Sequence, residues 1–336
     1  MTRRIVLVGV SLGLSLSLLF GCAAPTGGWD LDRLLADHPA IASLPHQRIG
    51  DMTPYPAWRD GQLVAVVCRF DSPEPIPIRG DGPGWQAAWA RAAVAAVDRG
   101  VEGVGLILVD QADNTGGSVR PPAIEIESIE APQAAGPGGL GDTIAFCDVS
   151  PTREGAVRGV VYGATIRIRR TLPLPTGRVH HADRAEWTGA LLHELGHALG
   201  FAGHAAIGDS IVHLEQSRLR VLGRRAAASE PFSMPTISAL YQIEPGRLLL
   251  EPDVESSAQD AIRSVLALVE ARRQRLGPPE RVISIAGDEN ARLVWSWQGG
   301  VTAALDFPDW RKAISSGDPV RADPSASTRR AIKATR

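Results

Sequence analysis

The stretch His193-Glu194-Leu195-Gly196-His197-Ala198-Leu199-Gly200-Phe201-Ala202-Gly203-His204 decides how this chain is read. Residues four apart share one face of a helix, so the imidazoles of His193 and His197 can reach a single metal ion. Glu194 sits one position on, where its carboxylate can reach a water activated by that metal rather than the metal itself. Gly200 is suited to end the helix and turn the chain back, and His204 then returns as a third ligand. Nearby Asp209, His213 and Glu215 are the other donors within the same region. Upstream, Asp183 followed three residues later by Glu186 is a capping-box pattern that starts the helix. Trp187, Leu191, Leu195 and Leu199 recur every four residues and give it a core-facing stripe.

The segment resembles the metzincin zinc-binding consensus H-E-x-x-H-x-x-G-x-x-H. His193, Glu194, His197 and Gly200 match position by position, while the third histidine falls one residue late, at His204, with Gly203 in the consensus place. A single insertion in a turn is tolerated far better than one in a helix. Metzincins carry a methionine turn beneath the metal, and Ser233-Met234-Pro235 follows His204 by 30 residues in a chain with three methionines. Met followed by Pro is similar to the matrixin branch. The resemblance implies Zn²⁺ as cofactor, Glu194 as catalytic base, Pro235, Thr236 and Ile237 as wall of the S1′ pocket, and a peptide or protein substrate. It also implies a substrate-pairing edge strand, for which Thr165, Ile166, Arg167 and Ile168 alternate suitably. The expected fold class is α+β: a metzincin-like catalytic domain with a twisted mixed sheet, a helix carrying the zinc motif and a Met-turn, plus a small C-terminal β-rich appendage. The resemblance covers about residues 64–275. The alternative reading is a non-catalytic cell-envelope binding protein on the same fold with a degenerate zinc site.

The N-terminus reads as an export signal. Arg3 and Arg4 precede an apolar run from Ile5 to Phe20, short for a membrane span. Leu19-Phe20-Gly21-Cys22 resembles a bacterial lipobox, which implies lipidation of Cys22 and an anchor in the cell envelope: the outer membrane in a Gram-negative host, with plain secretion as the other outcome. The remaining cysteines, Cys68 and Cys147, lie in strand-like runs. Outside the cytoplasm they most simply form one disulfide, two buried free thiols being the alternative.

The 336 residues carry a net charge of −2, with 44% hydrophobic and 21% charged residues. That composition fits a globular protein and argues against nucleic acid as a partner. The expected organisation is a signal peptide over 1–21, a tether over 22–62, the catalytic domain over 63–275, and a C-terminal region over 276–336 with a disordered tail. Strands are expected over 63–70, 104–109, around Ile124 to Ile129 and over 143–147, and a helix over 85–97. In the C-terminal region, Trp295 and Trp297 alternate along a strand and can lie on one face, exposed for binding or packed against a neighbour.

Overall fold

The computed structural model describes residues 55–59, 62–82, 85–109, 122–129, 139–173, 176–201, 211–212, 216–230, 234–250, 259–287 and 291–307. The expected signal peptide, Cys22, nearly all of the tether and the C-terminal tail lie outside them.

The described chain is a mixed α+β structure. Strands β1 (Tyr55–Arg59) and β2 (Gln62–Val66) form a hairpin. Strand β3 (Ile76–Asp81) leads into helix α1 (Ala87–Gly100) and returns as β4 (Leu106–Leu108), parallel to β3. Then come β5 (Ala123–Ile129), β6 (Gly141–Asp148), β7 (Val160–Arg169), a small hairpin of β8 (Thr171–Pro173) and β9 (Val179–His181), and helix α2 (Arg184–Ala198). Helices α3 (Gln216–Ala227) and α4 (Pro235–Gln242), strand β10 (Leu248–Leu250) and helix α5 (Gln259–Leu276) follow. Strands β11 (Arg281–Ala286), β12 (Ala291–Ser296) and β13 (Thr302–Phe307) close the described chain.

Eight of these strands make one sheet in the order β13-β12-β11-β6-β7-β5-β3-β4. The β4, β3, β5 and β7 half is parallel, and β6 to β13 are antiparallel to their neighbours. Alternation along the strands explains which face is covered. Ile76 and Ile78, Ile124 and Ile126, and Ile166 and Ile168 are buried, while Glu125 and Arg167 between the latter two pairs lie on the other face. That second face is laced by cross-strand ion pairs, Arg79–Glu125 at 3.0 Å, Arg167–Glu127 at 3.3 Å and Arg169–Asp142 at 3.0 Å.

Helix α2 packs against α1, α3, β6 and β7, so the motif is held between the sheet and two helices. Trp187 of α2 is wholly buried and meets Trp85 and Trp89 edge-on, with ring centroids 6.0 and 5.9 Å apart.

Two expectations require correction. Residues 165–168 are not an edge: β7 is paired on both sides, Thr165 lying opposite Glu125 of β5 and Ile144 of β6. The alternation there reflects one buried and one ion-paired face, a pattern an interior strand shares with an edge. The C-terminal strands are not a separate appendage either. β11 pairs with β6, so β11 to β13 extend the main sheet. Trp295 and Trp297 are buried in this packing, at 1% and 3% exposure, because the hairpin turns its apolar face to the core.

Cys68 and Cys147 are joined by a disulfide with Cα atoms 6.1 Å apart, both residues being buried. Among the described residues no helix is long and apolar enough to cross a membrane.

Candidate functional site

Local sequence sets where α2 starts. The Asp183 carboxylate accepts from the backbone N–H of Glu186 at 2.9 Å, and the Glu186 carboxylate accepts from the N–H of Asp183 at 3.1 Å. This reciprocal cap satisfies two helix-end donors. The Glu186 bond first, and then Arg220, hold the Asp183 carboxyl below its ordinary range. His180, on β9, lies 3.1 Å from Glu186 Oε2 and so belongs to this cap.

The helix ends at Gly200. Its φ of +107° suits glycine, and a Cβ there would stand 2.0 Å from the carbonyl oxygen of Cys68. The turn delivers the Phe201 carbonyl to Nδ1 of His197, at 2.7 Å. His193 Nδ1 meets the Ile211 carbonyl at 3.0 Å. A carbonyl oxygen only accepts, so each Nδ1 carries a proton and donates it; in the neutral form of either ring Nε2 then holds the lone pair. The two Nε2 atoms face each other at 3.1 Å in a buried setting.

Two neutral rings so placed would set their lone pairs against each other, and a shared cation, a proton or a metal ion, relieves that. Tetrahedral zinc, at about 2.0–2.1 Å from each nitrogen, holds two ligand nitrogens about 3.3–3.4 Å apart. The pair therefore fits two corners of such a site, with the carbonyl-bound Nδ1–H groups that orient metal-ligating histidines. Among the described residues no group of three or more His, Cys, Asp or Glu side chains is placed to hold a metal ion. His204, Asp209, His213 and Glu215 lie outside the described residues.

Glu194 is buried, and the Thr143 hydroxyl of β6 donates to its Oε2 at 2.6 Å. The same hydroxyl is 3.2 Å from the Glu194 carbonyl, but its single proton goes to the shorter, charge-assisted bond. Gly141, two residues earlier on β6, also faces this side chain: a Cβ there would lie 2.5 Å from Glu194 Cγ and 2.7 Å from Oε1. Neither Thr143 nor Gly141 stands out in the sequence. A Gly-x-Thr at the start of a strand is the one local trace of their role.

Met234 is buried and precedes α4 as its N-cap residue; its N–H donates to the Gly100 carbonyl at the end of α1, at 2.9 Å. Pro235 is the first residue of α4, and Ile237 is buried within it. Further along α4, Tyr241 donates its hydroxyl to the Leu199 carbonyl at 3.0 Å. Burial pushes that hydroxyl far above its ordinary value, so it remains a donor. The helix after Met234 is thereby tied to the last turn of α2.

The strand beside Glu194 is β6, not Thr165–Ile168. Residues Ala145 to Asp148 of β6 pair with β11, while Gly141 to Ile144 pair among the described residues with β7 alone. Compared with protein-family models, with curated proteins and with solved structures, the chain matches none.

Proposed function

We propose that this protein is a zinc-dependent endopeptidase of metzincin type, exported and lipid-anchored through Cys22. The single observation that carries the reading is the convergence of the His193 and His197 Nε2 atoms, 3.1 Å apart, beside a buried carboxylate one residue from the first. The order of elements also supports it: a mixed sheet and a helix before the motif helix, a buried Met234 after it, and a closing helix in α5.

Zn²⁺ would be held by His193 and His197, with His204 as the third ligand. When bound, it supplies a Lewis acid that polarises a carbonyl and lowers the pKa of water to about 7. The rest is the work of the chain. Glu194 takes a proton from the attacking water on Oε1 and passes it to the leaving amine nitrogen. Thr143 holds Oε2, which fixes the carboxylate plane and turns Oε1 toward Gly141 and the rim of β6. A peptide is bound there by strand addition along Gly141 to Ile144, using the backbone groups that point away from β7. The buried flanks of α2 keep water away from the carboxylate and so strengthen its interactions.

The test is zinc content after dialysis together with a peptide-library digest, for the wild-type chain and for Glu194→Gln. About one zinc per chain in both, with cleavage lowered at least ~10²–10⁴-fold in the variant, is expected from loss of a general base. A zinc-free wild-type protein that cuts nothing would point instead to the envelope-binding role.

A further inference from the structure

Three consecutive residues at the end of α2 are each held by a different partner. The Leu199 carbonyl, among the last helical carbonyls left without an intrahelical donor, accepts from the Tyr241 hydroxyl at 3.0 Å. Gly200 sits against the Cys68 carbonyl. The Phe201 carbonyl accepts from His197 Nδ1 at 2.7 Å. Whatever fixes the first two residues of the turn is therefore passed on to the imidazole.

Tyr241 is in turn held by Arg69. The guanidinium lies 5.5 Å from the centre of the phenol ring. Its Nε donates to the Ile243 carbonyl at 2.9 Å, at the end of α4, and its Nη1 donates to the Phe70 carbonyl at 3.0 Å. A cation is favoured at a helix C-terminus, and the flat guanidinium lets one side chain hold two carbonyls in fixed directions. The backbone of Arg69 is fixed as well. Its N–H donates to the Gly159 carbonyl at 3.2 Å, and its carbonyl accepts from the Val161 N–H of β7 at 2.9 Å. Cys68, the residue before it, is bonded to Cys147 of β6. Arg69 thus anchors the end of α4 to the sheet across 174 positions of sequence.

Resting on the peptidase reading, we propose that Arg69 and Tyr241 are positioning residues of the zinc site: together they hold the Leu199-to-Phe201 turn so that His197 keeps Nε2 directed at the metal. Neither takes part in a chemical step. Their effect runs through one bond, from His197 Nδ1–H to the Phe201 carbonyl. Leu199 is wholly buried, so its carbonyl has no easy substitute for the Tyr241 hydroxyl, and losing that bond lets the turn move. Gly200, at φ +107°, is the joint about which it would move, and the Phe201 carbonyl lies directly beyond it. Loss of an outer partner of a metal-ligating histidine typically lowers metal affinity about 10–100-fold. Arg69 and Tyr241 act further out than the carbonyl itself, so the lower end of that range applies.

The experiment measures zinc affinity by competition with a chelator, and the urea midpoint of the zinc-free protein, in the full chain. The proteins are wild type, Tyr241→Phe, Arg69→Lys, the double variant and Leu305→Ala. Tyr241→Phe removes one hydroxyl and keeps the ring. Arg69→Lys keeps the charge and loses the two-carbonyl fork. Leu305→Ala empties buried volume on β13, three strands from β6, and is the control for lost stability alone. Expected is a zinc affinity about tenfold lower in each single clamp variant. The double variant should lose less than the product of the two, because both act in one clamp. Leu305→Ala should lower the midpoint and leave zinc affinity unchanged. The His197 Nδ1 proton should also exchange with solvent faster in Tyr241→Phe than in wild type. Unchanged zinc affinity in either single clamp variant overturns the inference and leaves the peptidase reading standing, as does an equal loss in Leu305→Ala. A wild-type protein that takes up no zinc removes the reading and the clamp with it.

Discussion

The Thr143 hydroxyl donates to the Glu194 carboxylate at 2.6 Å, linking β6 to the motif helix across 51 positions of sequence. A buried carboxylate needs such a partner, because an unsatisfied charge in the interior is costly. In the proposed mechanism the bond gives β6 a role in catalysis: Thr143 would aim the carboxylate that carries the proton. Hydrogen bonds to charged groups contribute about 1.5–3 kcal/mol. Thr143→Val, nearly the same size, should therefore lower kcat about 10–100-fold with KM little changed, while Thr143→Ser restores most of it. An unaltered kcat in Thr143→Val would mean that Glu194 is held by other contacts.

The disulfide should matter to the site as well as to stability. Cys147 lies on β6, and the Cys68 carbonyl packs on the turn at Gly200. The bridge thus joins the strand of Thr143 to the turn that supports His197. Closing a loop across 79 residues, it should contribute about 2–4 kcal/mol. Urea unfolding with and without reductant measures this. A midpoint that does not move on reduction would show that packing alone holds the two segments together.

Gly200→Ala should be one of the most damaging single-methyl changes. The residue has φ +107°, and the new Cβ would collide with Cys68 O. Left-handed strain alone costs about 1–3 kcal/mol, and relieving the clash would displace the Phe201 carbonyl from His197. Expected are a lower unfolding midpoint and a weaker hold on zinc, read by competition with a chelator.

Much of the motif helix was legible because its signals are local. The spacing of His193 and His197, the Asp183–Glu186 cap and the Trp187-to-Leu199 stripe all follow from the helical period. What the sequence did not disclose is which strands become neighbours. Ile166 and Ile168 alternate with Arg167 whether β7 lies at a rim or inside a sheet, since alternation reports faces and not edges. Trp295 and Trp297 likewise share a face in either case, and only the pairing of β11 with β6 decides that the face is buried. Thr143 was invisible for the same reason: its function comes from a strand–helix contact that no local pattern encodes.

The cap of the motif helix carries a pH signature. Asp183 is held below the ordinary carboxylate range by the Glu186 backbone N–H first, and by the Arg220 guanidinium after it. His180 and Glu186 are hydrogen-bonded into the same group. A carboxyl with a lowered folded-state pKa contributes stability that is fully present above its unfolded value, near 3.9, and is lost as pH falls through the lower folded value. At pH 7, Asp183→Ala should cost about 1 kcal/mol, the usual worth of an N-cap, with Asp183→Asn losing less because the amide oxygen still accepts from Glu186. Unfolding should be followed by urea titration from pH 7 down to pH 2. The gap between wild type and Asp183→Ala should hold steady to about pH 4 and narrow below it. A gap of constant size across the whole range would mean that the cap acts through shape alone, without its charge.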